Sequence, residues 1–172
     1  LPLGERFWGA LFQSVTARTA GFNTLDFGLM SEGGVAVMII LMLVGGAPGS
    51  TAGGMKVTTL AVMLSTAASV FRHRSDTHFF GRRIEEETVR SAMAILTLYL
   101  TLFLSGGLLI SQVEGLPLLA CLFESASAVG TAGLTLGITT GLGRLSRMVL
   151  IVLMYVGRVG ALTLVFAALS DG

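Results

Sequence analysis

The chain reads as an all-α membrane protein built from a repeated unit of outer helix, short pore helix, extended filter strand and inner helix, with about one and three-quarter units present. Three observations lead there. Of 172 residues, 53% are hydrophobic and 12% charged, and the mean hydropathy is +0.83; a soluble domain carries about 25% charged residues to solvate its surface. Residues 33–55 and 91–113 each run 23 positions without a charge, about 35 Å as helix against a hydrocarbon core of about 30 Å. The sequence also repeats itself at a spacing of 111 to 112 residues.

Several function classes are excluded by composition. Net charge is +1, and no block of like charge is long enough for nucleic acid or an acidic substrate. Cys121 stands alone in an apolar stretch, so neither a disulfide framework nor a zinc site is expected. His73 and His78 both fall in the one charged linker, no acid/base pair has a suggestive spacing, and no enzymatic activity is expected. The first residue is Leu and no signal-peptide pattern follows it, so the chain is expected to begin in mid-protein.

Along the chain, residues 7–17 and 116–129 are apolar but too short to cross, the length of a half-helix or re-entrant segment. Each precedes a glycine-containing polar run. Residues 33–55 are the first candidate span, but apolar character resumes after Lys56 and continues to Val70. Residues 45–54 hold five glycines and one proline. Glycine costs about 1 kcal/mol and proline about 3 kcal/mol in a helix interior, so this run should unwind. Unwound backbone at membrane depth needs protein or a water-filled cavity around it. The competing account is a polar loop between two interfacial helices.

Arg72, Arg74, Arg82, Arg83 and Arg90, five of the eleven basic residues, gather in one connection. The positive-inside rule places it in the cytoplasm, and Arg144 and Arg147 oppose that assignment weakly. Residues 91–113 are the second span, and 148–170 the third, with Arg158 in its middle. The expected organisation is therefore an incomplete repeat over 1–71, a cytoplasmic linker over 72–90 and a complete repeat over 91–172, with the C-terminus inside.

The repeat is visible residue by residue. Leu11-Phe-Gln-Ser-Val-Thr-Ala17 aligns with Leu122-Phe-Glu-Ser-Ala-Ser-Ala128 at offset 111, and Thr19-Ala-Gly-Phe22 with Thr131-Ala-Gly-Leu134 at offset 112. The same 112 carries Val44-Gly45 onto Val156-Gly157. Repeats of this kind belong to channel and transporter folds. A potassium-channel-like pore needs backbone carbonyls aimed at one axis in place of the ion's hydration shell, and glycine makes the required conformations cheap. The candidate filter residues are Thr19, Ala20, Gly21 and Phe22 with Thr131, Ala132, Gly133 and Leu134, holding K+ by backbone carbonyls only. The plainer account makes both glycines turn residues after a short helix.

Ala17-Arg-Thr-Ala-Gly-Phe-Asn-Thr24, Gly45-Gly-Ala-Pro-Gly-Ser-Thr-Ala-Gly-Gly-Met-Lys56 and Gly157-Arg-Val-Gly160 together resemble the last two of four pore repeats in Trk/Ktr-type potassium transporter subunits, the Ktr branch more closely. The resemblance covers nearly the whole chain. It implies filter glycines at Gly21 and Gly133, a gate formed by Gly45, Gly46, Gly49, Ser50, Thr51, Gly53 and Gly54, and Arg158 facing that gate. It also implies potassium uptake through a gated pore, sodium as an activator, and no covalent cofactor. Implied partners are the missing N-terminal repeats, a second copy in a homodimer, a cytoplasmic nucleotide-binding regulatory subunit and membrane lipid. The implied location is the bacterial inner membrane, crossed several times.

Individual side chains carry alternatives. A buried arginine costs about 2.5 to 3.5 kcal/mol on insertion scales, so Arg158 is expected to face protein or water, as a fixed charge beside the ion path or as a helix tie. Lys56 is expected to snorkel or to cap the broken helix. Glu124, in the place of Gln13, is expected to bond filter amides rather than attract cations. Trp8 and Tyr99 read as packing or interface anchors. Two competing functions remain on these residues: an alternating-access transporter with broken helices, and a membrane scaffold without transport.

Overall fold

The computed structural model describes residues 3–24, 26–50, 52–72, 78–79 and 82–159. Among these described residues six α-helices follow one another: α1 (Leu3–Thr16), α2 (Glu32–Leu43), α3 (Val57–Phe71), α4 (Glu86–Glu114), α5 (Leu118–Val129) and α6 (Arg144–Val159). Between α3 and α4 lies one antiparallel pair of two-residue strands, β1 (His78–Phe79) and β2 (Arg82–Arg83). The chain is thus mostly helical, with one short ribbon inside the charged linker that an all-α reading does not include.

Local chemistry sets most boundaries. Ser31 caps α2 by accepting the Gly34 amide at 3.2 Å, a contact worth about 1 kcal/mol. Asp26 accepts the Gly28 amide at 2.9 Å and opens a single 3-10 turn over Phe27–Leu29. Gly115, at φ 67°, closes α4 in the left-handed conformation typical of a helix end. α2 stops at Leu43 because Gly45, Gly46 and Pro48 follow at once.

Two elements begin before the uncharged stretches do. α4 starts at Glu86, inside the charged linker, where Arg90 pairs with Glu86 one turn away at 3.0 Å. α6 starts at Arg144, four residues ahead of Met148, and Glu114 at the end of α4 accepts the Gly143 amide at 2.8 Å just before it. Charge ends a hydrophobic pattern but not a helix, because exposed Arg and Glu are good helix formers. α4 alone among the described helices is long and apolar enough to cross a membrane. The rest of the third expected span, Gly160 included, lies outside the described residues, as do His73, Arg74, Asp76 and the position of the C-terminus.

The repeat is three-dimensional. α2 starts at Glu32 and α6 at Arg144, 112 positions later, and the 3-10 turns Phe27–Leu29 and Thr139–Gly141 keep the same spacing. α5 is the hub: Phe123 and Ala126 are buried with Val35, Met38 and Met42 of α2, while Cys121 and Val129 are buried with Ile110 of α4 and Leu150 of α6. Phe27 meets Phe123 ring to ring at 5.8 Å.

Candidate functional site

Both short helices run straight into Thr-Ala-Gly, and both copies take the same backbone path. Thr19 and Thr131 have φ of 67° and 50°, Gly21 and Gly133 have φ of 73° and 80°, and the alanine between is of ordinary hand. Left-handed threonine is unfavourable because its branched Cβ crowds the carbonyl, at a cost of about 1–3 kcal/mol. Among the described non-glycine residues, these two threonines are the ones at positive φ. Backbone that alternates hand can turn successive carbonyls toward one side, which an ordinary strand does not do.

Hydrogen bonds hold the path. The Ala20 amide donates back to Thr16 O at 3.1 Å, and the Ala132 amide to Ser127 O at 2.9 Å. Thr16 Oγ1 donates to Phe22 O at 2.6 Å and accepts the Phe22 amide at 2.9 Å. Past each glycine the helix reaches out again. Gln13 Nε2 donates to Asn23 Oδ1 at 3.4 Å and Thr24 Oγ1 at 3.5 Å. Glu124 Oε1 accepts from Thr135 Oγ1 at 2.6 Å and the Leu136 amide at 3.0 Å, and Oε2 accepts from Thr139 Oγ1 at 2.7 Å. An amide and two hydroxyls satisfy this buried carboxylate, but the amide is that of Leu136, beyond the candidate filter residues Thr131 to Leu134.

The two strands stand against each other. A Cβ added at Gly21 would come within 2.9 Å of Ala132 O, and one at Gly133 within 3.7 Å of Gly21 Cα. Thr19 Oγ1 donates to Gly130 O at 3.5 Å.

The glycine-rich run is a loop closed at its neck. Val44 and Met55 form a parallel bridge, with the Gly45 amide donating to Met55 O at 2.7 Å and the Val57 amide to Gly46 O at 3.3 Å. Gly45, Gly53 and Gly54 are buried, whereas Gly49 and Ser50 are exposed. Thr51 lies outside the described residues. The neck packs against the second strand: any Cβ at Gly53 would overlap Thr131 Oγ1, and one at Gly54 would come within 3.3 Å of Gly130 Cα. Lys56 stands at the N-terminal cap position of α3, but its side chain makes no capping bond there. Its Nζ donates to Ala52 O at 2.7 Å and Ser50 O at 3.2 Å, folding the loop back on itself.

Arg158 lines a cavity of about 730 Å³ together with Thr19, Thr131, Gly133 and Glu124. The preceding residue ties α6 to the loop, since Gly157 O accepts the Gly54 amide at 3.4 Å and the Tyr99 hydroxyl at 3.5 Å. The structure therefore brings the two Thr-Ala-Gly strands, the loop neck and Arg158 into one region; the loop tip stands apart from them.

Gly130 and the anchoring side of Gly157 escaped the sequence reading, whereas Tyr99, read there as a packing or interface anchor, is buried. Gly130 had a signal: the offset rises from 111 to 112 between Ala128 and Thr131. The extra residue makes room there, because a side chain at Gly130 would overlap Met42 O and one at Gly157 would overlap Val129 O.

Fold and site together define a protein of tandem helix–turn–strand–helix units whose glycine-rich backbones converge on one cavity. The family described as TrkH, cation transport protein, matches residues 1–171. Ktr system potassium uptake protein B of Bacillus subtilis is 39% identical over 97% of this chain and 38% of its own length. Potassium/sodium uptake protein NtpJ of Enterococcus hirae is 39% identical over 96% of this chain and 38% of its own. The crystal structure of the potassium transporter TrkH from Vibrio parahaemolyticus superimposes with a TM-score of 0.78 at 26% identity, covering 95% of this chain and 37% of that one. The chain belongs to the TrkH family of cation transport proteins. It spans a little under two-fifths of the length of these relatives.

Proposed function

We propose that this chain supplies two of the walls of a channel-like pore for potassium uptake in a cell membrane, most simply a bacterial inner membrane. Thr19, Ala20, Gly21, Phe22 and Thr131, Ala132, Gly133, Leu134 act as filter strands. The matched left-handed pairs, Thr19 with Gly21 and Thr131 with Gly133, carry the reading. Strain repeated at equivalent positions is kept where backbone direction is used, and successive carbonyls on one side suit a dehydrated cation.

In this reading residues 1–71 and 91–172 are the incomplete and complete repeats, joined by the linker 72–90. The loop of Gly45, Gly46, Gly49, Ser50, Thr51, Gly53 and Gly54 gates the path, and Arg158 sets a fixed positive charge beside it. The support is the buried neck against Thr131 and the cavity shared by Arg158 with both strands. The other walls come from further repeats of the same polypeptide, and the assembly includes a second copy, surrounding lipid and a cytoplasmic nucleotide-binding regulatory subunit, with sodium as activator. The uptake proteins named for a Ktr system and for potassium and sodium are in keeping with such a system.

Ion-specific stabilisation tests the reading. The full-length protein in detergent should melt several degrees higher in potassium than in choline at equal ionic strength, as ligand linkage requires. Equal melting in the two salts, with no potassium uptake in vesicles, contradicts a potassium path and leaves a scaffold.

A further inference from the structure

The side chains of Gln13 and Glu124 occupy equivalent positions on the two short helices, and each is 4% exposed. Their partners are equivalent too: Asn23 and Thr24 in the first unit correspond at offset 112 to Thr135 and Leu136 in the second. What differs is polarity. Gln13 donates to side-chain oxygens, whereas Glu124 accepts from hydroxyls and an amide. Donor and acceptor have exchanged sides together, which preserves a contact rather than a charge.

We propose that Gln13 and Glu124 are positioning residues that clamp the outer end of each Thr-Ala-Gly strand by reach and hydrogen bonding, and that the negative charge of Glu124 is dispensable for ion choice. The inference rests on reading those strands as the filter. The second strand is held at its inner end by Gly53 and Gly130, packed against Thr131 and Met42 O. Its outer end is held by three bonds to Glu124. Thr131, at the inner clamp, is held at φ 50°, while Ala132, Gly133 and Leu134 lie between the two clamps. Three hydrogen bonds from Thr135, Leu136 and Thr139 take most of the acceptor positions of Glu124, although the residue also lines the cavity. The first clamp is looser, with bonds of 3.4 and 3.5 Å and Gln13 Oε1 buried without a hydrogen-bond partner among the described residues.

Two substitutions separate reach from charge. Glu124→Gln removes the charge and keeps the length, with its oxygen accepting from Leu136 and its amide donating to Thr139. Glu124→Asp keeps the charge but withdraws it by about 1.5 Å, beyond bonding distance. In the full-length protein in vesicles, the potassium-to-sodium uptake ratio is expected to stay within about twofold of wild type for Glu124→Gln and to fall about tenfold for Glu124→Asp. Thr139→Val, which removes one of the three donors, should fall in between. Gly133→Ser is measured alongside: a wild-type ratio there removes the filter reading itself. With Gly133→Ser impaired, a Glu124→Gln ratio as low as that of Glu124→Asp overturns the proposal in favour of a charge effect. Wild-type ratios in Glu124→Asp and Thr139→Val overturn the clamp. Should Glu124→Asp fail to fold, the Glu124→Gln and Thr139→Val ratios decide in the same way.

Discussion

Thr19 and Thr131 hold a backbone conformation that glycine adopts more cheaply, so the side chain must have a use. Thr19 bonds across to Gly130 O, and Thr131 Oγ1 is buried against Gly53 with no hydrogen-bond partner among the described residues. Replacing Thr131 by glycine removes backbone strain of about 1–3 kcal/mol. It also frees the strand to move. Thr131→Gly is therefore expected to melt no lower than wild type while its potassium-to-sodium uptake ratio drops severalfold. A variant that melts lower and keeps its ratio would show that Thr131 serves stability alone. Arg158 has a charge to test. At an effective dielectric near 20, a unit charge about 4 Å from an ion repels it by about 4 kcal/mol, so Arg158→Gln is expected to raise potassium flux per folded protein. Flux that stays level or falls, with reduced stability, identifies a helix tie instead.

The glycine-rich loop divides into a buried neck and an exposed tip, and its parts should respond differently. A Cβ at Gly53 meets Thr131, whose position is fixed on both sides, so Gly53→Ala should cost about 1–3 kcal/mol of stability, as overpacking does, and disturb that strand. Gly49 has φ 80° but open space around it. Gly49→Ala should pay about 1–2 kcal/mol of local strain and leave the potassium-to-sodium ratio unchanged. Thermal melting and uptake ratios of the two variants, compared side by side, check the division. The break in the helix was legible in the sequence, because five glycines and a proline in ten residues admit no other local outcome. The partner of the neck was not, since packing Gly53 on Thr131 joins positions 78 apart and leaves no periodic trace. Likewise the repeat fixed where Thr-Ala-Gly recurs, yet only coordinates give the sign of φ at a threonine.

Among the described residues α1 is less covered than its counterpart α5. Leu11, Phe12 and Val15 are 45%, 40% and 60% exposed, while their counterparts Phe123 and Ala126 are fully buried and Leu122 is half-buried. In the second unit α4 and α2 cover those positions. Gly106 and Gly107 let α4 approach Ser125 and Leu122 closely, and Ser125 Oγ donates to Phe103 O at 2.8 Å. The first unit has the same short helix without that cover. Expressed alone, residues 1–172 are therefore expected to associate or precipitate on extraction, and joining them to upstream repeats should give a monodisperse particle in size-exclusion chromatography. A stable monomer of the isolated chain contradicts this.

In the proposed pore, two Thr-Ala-Gly backbones face one potassium path. Gly21→Ser and Gly133→Ser, made separately in the full-length protein, address it most directly. Both positions lie at positive φ, and a side chain at Gly21 also presses on Ala132 O at 2.9 Å. Each variant is expected to fold and reach the membrane but to lose most of its preference for potassium over sodium in vesicle uptake. Two folded variants with the wild-type ratio would contradict this.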